Sequence, residues 1–158
     1  LTKYLKFRDS ILIIVINIII NLIIGLINRN YKIEIKNEVI KNKKFSLVNS
    51  INNSINTLLS ILGIVVLFNI INNLLPIKHP LITGLFEITN GLNLVENTSS
   101  SYKNKIIYTG ILLSFGGLSI ITQIKSIFKN ENTFNYTLFY KSRIIHLLLF
   151  VITLFIIF

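Results

Sequence analysis

The stretch PLITGLFEITNGLNLV, Pro80 to Val95, decides the fold. It is almost wholly apolar, yet as a helix it would reach only about 24 Å, short of the roughly 30 Å hydrocarbon core of a bilayer. At 100 degrees per residue Thr83, Glu87 and Asn90 share one narrow stripe, while Leu81, Leu85, Ile88 and Leu92 share the opposite face. Gly84 and Gly91 permit tight turns on either side of the glutamate, so the segment reads as a re-entrant or broken helix rather than a further crossing. A carboxylate at membrane depth is rejected by lipid and faces a cavity or a partner. The competing reading is an interfacial helix whose Glu87 looks at water.

The sequence around this stretch supports a membrane setting. Of 158 residues, 52% are hydrophobic and only 14% charged, which excludes an ordinary soluble globule. The first span is Ser10 to Ile27, SILIIVINIIINLIIGLI; it is longer than the apolar core of a signal peptide, no small-residue cleavage site follows, and it reads as retained. The second span is Ile55 to Leu75, ended by Pro76 and Pro80. The third runs from Lys105 to Phe128, and the last apolar run is Ile144 to Phe158. The fold class is therefore all-α: a polytopic helical membrane protein of about four spans plus a re-entrant or broken helix.

Residues 1–27 form a basic flank and first span, 28–53 a basic amphipathic cytoplasmic segment, and 54–158 the main membrane domain. Four spans put the loops after spans one and three on one side, where Arg29, Lys32, Lys36, Lys41, Lys43, Lys44, Lys125, Lys129, Lys141 and Arg143 lie. The other side holds Lys3, Lys6, Arg8, Lys78, Lys103 and Lys105, so the positive-inside rule places the first and third loops in the cytoplasm. The net charge of +10 sits on these membrane flanks without interleaved aromatics, which points to anionic lipid and not to nucleic acid.

Absence of cysteine excludes disulfides, thiolate metal sites and cysteine nucleophiles. His79 and His146 have no metal-binding spacing, Asp9 lies before the first span, and no nucleophile elbow or phosphate loop occurs, so no enzyme, metal site or cofactor is expected. Abundant Ile, Asn and Lys with no alanine indicates an AT-biased genome and lowers the weight of any lone asparagine. The polar groups that remain lie on three segments. Glu87, Thr89 and Asn90 belong to the re-entrant stretch. In the third span Gly110, Ser114 and Gly117 form a small-residue stripe for close packing, while Gly116, Ser119, Gln123 and Ser126 form a hydrogen-bonding one. The adjacent Gly116 and Gly117 are also where that helix can break and expose backbone groups. Tyr140, Arg143 and His146 follow one ridge at the start of the last span, with packing and interfacial anchoring as the plainer roles for all of these groups.

GLFEITNGL (Gly84 to Leu92), SFGGLSIITQI (Ser114 to Ile124) and YKSRIIH (Tyr140 to His146), in that order after ILGIVVLFNII, resemble the C-terminal half of the YlbJ-type sporulation integral membrane proteins. That family carries the nucleoside-recognition or Gate type of membrane domain, and the likeness runs from about Phe45 onward. The resemblance implies a role in endospore formation in a Firmicute, in the mother-cell membrane around the forespore, moving dipicolinate across it. Glu87, Thr89, Asn90, Ser119, Gln123, Tyr140, Arg143 and His146 would then bind this small organic anion, with Gly84, Gly91, Gly116 and Gly117 breaking the helices. Glu87 would act as a proton or cation coupler, or hold Arg143 or His146 when the site is empty. Family members contain two related halves and this chain matches one, so the expected partners are the bilayer, the anion, and an upstream half-protein or a second copy. The alternatives are a non-transporting structural or assembly protein of sporulation, and a nucleoside or ion transporter with the same domain.

Overall fold

The computed structural model describes residues 1–31, 46–129 and 134–158. The regular structure of these residues is all helical, in the order α1 (Phe7–Asn28), α2 (Leu47–Leu74), α3 (Pro80–Phe86), α4 (Ile88–Asn97), α5 (Tyr102–Phe115), α6 (Gly117–Ile127) and α7 (Tyr136–Ile157). Four stretches are long and apolar enough to cross a membrane: α1, α2, α5 with α6 taken together, and α7. The chain is thus a polytopic helical membrane protein. Most of the basic segment 28–53 lies outside the described residues.

Local chemistry sets the helix starts. Ser46, Ser101 and Asn135 each accept the N–H three residues on, from Asn49, Asn104 and Leu138, and so satisfy amides that a helix start leaves free. At α3 His79 Nδ1 accepts from the Leu81 N–H and Pro80 occupies the first helical position, where a missing N–H costs nothing. α2 begins at Leu47, eight residues before the apolar run read as its span, because the Ser46 cap starts the helix in polar sequence. α7 likewise starts at Tyr136 and carries Tyr140 and Arg143 within the helix rather than at its edge.

The core lies where α1, α5 and α7 meet. α1 buries Ile13, Ile16, Ile20 and Ile24, spaced three or four apart, against Ile106, Phe150 and Leu154. A Cβ on Gly110 would collide with Leu154 and stand 2.9 Å from Phe150, so the small residue lets α5 and α7 close together. Polar ties fix the two ends of the bundle. At one end Tyr4 and Thr109 share a 3.0 Å hydrogen bond, Tyr102 donates to Asp9, and Lys3 pairs with Glu96 at 4.0 Å. At the other, Asn135 donates to the Tyr31 hydroxyl at 2.8 Å. The start of α1 therefore lies beside the start of α5, and its end beside the start of α7, as the two crossings between each pair of tied ends require.

The stretch that decided the fold is a hairpin. A continuous helix over 80–95 would have carried Thr83, Glu87 and Asn90 as one stripe, but the backbone turns extended at Glu87 (φ −140°, ψ 117°) and α4 folds back on α3. The glycines are the reason. A Cβ on Gly91 would collide with the Gly84 Cα and lie 2.8 Å from the Gly84 nitrogen, so the two backbones touch where neither residue has a side chain.

Candidate functional site

Two interruptions of helix cross at one point. The first is Glu87. The second is Gly116–Gly117, both left-handed (φ 80° and 81°), which splits the third span into α5 and α6. They are in contact: a Cβ on Gly117 would stand 3.1 Å from the Gly84 carbonyl oxygen and 3.5 Å from the Ile88 nitrogen.

The two are finished differently. Glu87 is only 4% exposed, and its Oε1 accepts from the Thr89 N–H at 3.4 Å and the Thr89 hydroxyl at 3.0 Å, capping the start of α4. Its Oε2 is buried without a partner. A carboxylate suits the positive end of a helix. At the second break the Gly116 N–H donates to the Leu112 carbonyl and closes α5, but no side chain caps α6. α6 thus begins with uncapped amides at buried residues.

Arg143 reaches this break from α7. Its Nη1 donates to the Ser114 carbonyl at 3.4 Å, setting a cation at the carbonyl end of α5. His146, one turn further, is 1% exposed and stacks on Phe150 at 5.8 Å between centroids. Both of its ring nitrogens are without a hydrogen-bond partner. Arg143 and His146 line a cavity of about 390 Å³ together with Ser142, Leu113 and three residues of α1, Asn17, Asn21 and Ile24. Asn21 donates to both the carbonyl and the side-chain oxygen of Asn17 at 2.9 Å, so the pair forms one polar step on an otherwise apolar helix. Discounted as compositional in the sequence, these asparagines carry one usable signal, a spacing of four residues within a span that has no other amide.

The remaining site residues are dispersed. Tyr140 lines a separate cavity with Lys125 and Tyr136, because a step of three residues falls about 60 degrees short of a full turn and two steps separate it from His146 by about 120 degrees. Ser119 is fully buried and receives the Gln123 amide at 3.1 Å, so these two satisfy each other. Asn90 donates to Asn69 and lines a third cavity with Thr83 and Asn72, whose amide donates to the Thr83 carbonyl. Thr89 is exposed apart from its bonds to Glu87. Glu87 holds neither Arg143 nor His146: among the described residues the ion pair within 4.0 Å is Lys3 with Glu96. The α5–α6 break stands between them, with the hairpin touching Gly117 and the guanidinium lying beside Gly116.

No protein-family model matches the chain, and no solved structure does. A curated relative does. The chain is similar to the sporulation integral membrane protein YlbJ of Bacillus subtilis (strain 168), at 28% identity over 63% of this chain. The resemblance read from the sequence thus extends to a curated protein, itself integral to the membrane, in keeping with the four apolar helices found here. The chain spans 30% of that relative's length.

Proposed function

We propose that this chain is a transporter-like half-domain acting in sporulation, and that the cavity between α1 and α7 receives a small organic anion, dipicolinate. The observation that carries the reading is the meeting of Arg143 and His146 with Asn17 and Asn21 in a cavity of about 390 Å³ beside an uncapped helix break. A guanidinium offers paired donors matched to a carboxylate, and the asparagine amides and His146 offer further hydrogen bonds for a planar dianion. Arg143 would exchange its long bond to the Ser114 carbonyl for the ligand's carboxylate, which leaves the carbonyl end of α5 free to move. Glu87, buried with one oxygen unpaired across the break, is the group suited to a proton or cation that travels with the anion. The remaining part of the site would come from an upstream half-protein or a second copy, in keeping with a match to 30% of the relative. The membrane would be that of the mother cell around the forespore.

A second reading, a structural or assembly protein without transport, has its own support: Gln123 donates to Ser119, and Thr89 takes up one oxygen of Glu87. Terbium luminescence of spore dipicolinate separates the two. The reading frame is deleted in the source organism and restored intact, as Arg143→Ala or as Arg143→Lys. Transport predicts loss on deletion, rescue by the intact copy, none by Arg143→Ala and partial rescue by Arg143→Lys. Normal dipicolinate in the deletion strain would sink the transport reading.

A further inference from the structure

The largest of the three cavities described lies at the other end of α6, away from the helix breaks. It is an open groove of about 660 Å³, lined by Thr122, Lys125 and Ser126 of α6, by Lys129 just past its end, and by Tyr136 and Tyr140 of α7. We propose that it holds the phosphate of an anionic phospholipid.

Three independent features converge on this. The first is chemistry. The lining residues come in pairs four apart, Thr122 with Ser126 and Tyr136 with Tyr140 each one turn apart on their helices, and Lys125 with Lys129, which follows the end of α6. Together they present as donors two ammonium groups and the hydroxyls of Ser126, Tyr136 and Tyr140, the Thr122 hydroxyl donating instead to the Leu118 carbonyl at 2.8 Å, and no acidic residue among the described residues lines the cavity. Lys125 is already oriented, with its Nζ 5.5 Å from the centre of the Tyr140 ring.

The second feature is depth. Phe128 and Phe134 stack at 4.4 Å, Tyr136 packs edge-on against Phe134 at 4.8 Å, and Tyr140 packs against Phe139 at 5.5 Å. Such a cluster of aromatic rings at the ends of two spans marks the headgroup level, where amphipathic rings sit best. The phosphates of the bilayer therefore lie at the height of the lysines.

The third feature is continuity with an apolar track, which favours lipid over a soluble anion. The remaining wall of the cavity is Ile64 of α2. α2 buries only Asn72 among its described residues, and Ile61, Val65 and Phe68, which lie three, one and four residues from Ile64 on the same side of the helix, are only half-buried. A lipid whose phosphate is held by Lys125 and Lys129 would lay its acyl chains along these apolar side chains, whereas free phosphate or a soluble carboxylate gains nothing from them.

The test is native mass spectrometry of the purified full chain exchanged into micelles containing phosphatidylglycerol or phosphatidylcholine, with inorganic phosphate as competitor. The proposal expects one phosphatidylglycerol retained in preference to phosphatidylcholine and not displaced by excess phosphate. Lys125→Gln with Lys129→Gln should weaken retention about thirtyfold, since each lysine near a lipid surface contributes on the order of a factor of five. Tyr140→Phe, which removes one hydroxyl and keeps the ring, should weaken it about fivefold and guards against a double variant that fails to fold. Equal retention of the two lipids, or unchanged retention in a folded double variant, overturns the site. Displacement by inorganic phosphate overturns the assignment to lipid.

Discussion

The two helix breaks that cross at the centre of this chain do the same geometric job with opposite chemistry. At Glu87 the backbone turns in an extended conformation open to any residue, and the side chain stays to cap the helix it starts. At Gly116–Gly117 the backbone turns left-handed, which only glycine adopts cheaply, and α6 starts with no side-chain cap. The first break is self-sufficient apart from one carboxylate oxygen. The second leaves amides at its start that Arg143, reaching the carbonyl end of α5, does not satisfy. A break that completes itself serves as a hinge or a wall, and one that leaves donors free serves as a site. This difference is why the proposed anion site is on the Arg143 side and the proposed coupling role on the Glu87 side.

Substitutions at the glycines test how far each break rests on close approach and how far on backbone conformation. The largest effect is expected at Gly91. An added Cβ there meets backbone atoms of Gly84, which cannot rotate away, so Gly91→Ala should destabilise at or beyond the upper end of the roughly 1–3 kcal/mol typical of overpacking. Helical circular dichroism during thermal unfolding in micelles would register it as a loss of most of the cooperative transition. An unchanged melt would mean that the hairpin does not close as tightly as described.

Gly117→Ala comes next and separates the two contributions at the second break. It has both a left-handed backbone and a contact at 3.1 Å with the Gly84 oxygen, and should cost roughly 2–3 kcal/mol. Gly116→Ala has the same conformation but nothing nearer than 3.6 Å, and should cost only the conformational part, about 1–2 kcal/mol. Equal melting temperatures for the two variants would show that the contact between the breaks carries no energy.

At the first break Glu87→Ala removes the cap and should cost about 1–2 kcal/mol, while Glu87→Gln keeps an acceptor for Thr89 and should melt close to the parent protein. The same Glu87→Gln variant should abolish any pH dependence of anion uptake in vesicles. Uptake whose pH profile survives the change would remove Glu87 from coupling and leave it as a cap.

The spans, the broken nature of 80–95 and the small-residue contact at Gly110 were legible in the sequence because each follows from one element's own length or periodicity. The hairpin contact was not. Gly84 and Gly91 are seven apart, which on a straight helix puts them on one face but two turns distant, and only a reversal at Glu87 brings their backbones together. Glutamate is also not among the preferred capping residues, so nothing marked Glu87 as the start of α4. The grouping of Tyr140 with Arg143 and His146 failed for the opposite reason: a local ridge was read as a site without allowing for its drift around the helix. Asn17 and Asn21 escaped notice because their partners lie on α7, more than a hundred residues away, and a span read alone shows only that it is apolar.

The smallest expected effect concerns glycines that neither break uses. Gly25 in α1 and Gly63 in α2 have nothing within 4 Å of a built Cβ, and both sit inside helices. Alanine has the higher helix propensity and loses less backbone entropy, so Gly25→Ala and Gly63→Ala should raise stability by up to about 1 kcal/mol each. If they do, these two glycines reflect composition, and the contrast with Gly91 and Gly117 stands as one between open and required positions. A loss as large as that of Gly116→Ala at either position, measured in the assembled protein, would place a second chain or a missing half against that helix face. The open surface of α1 or α2 would then be an interface closed by close backbone approach, as the hairpin is.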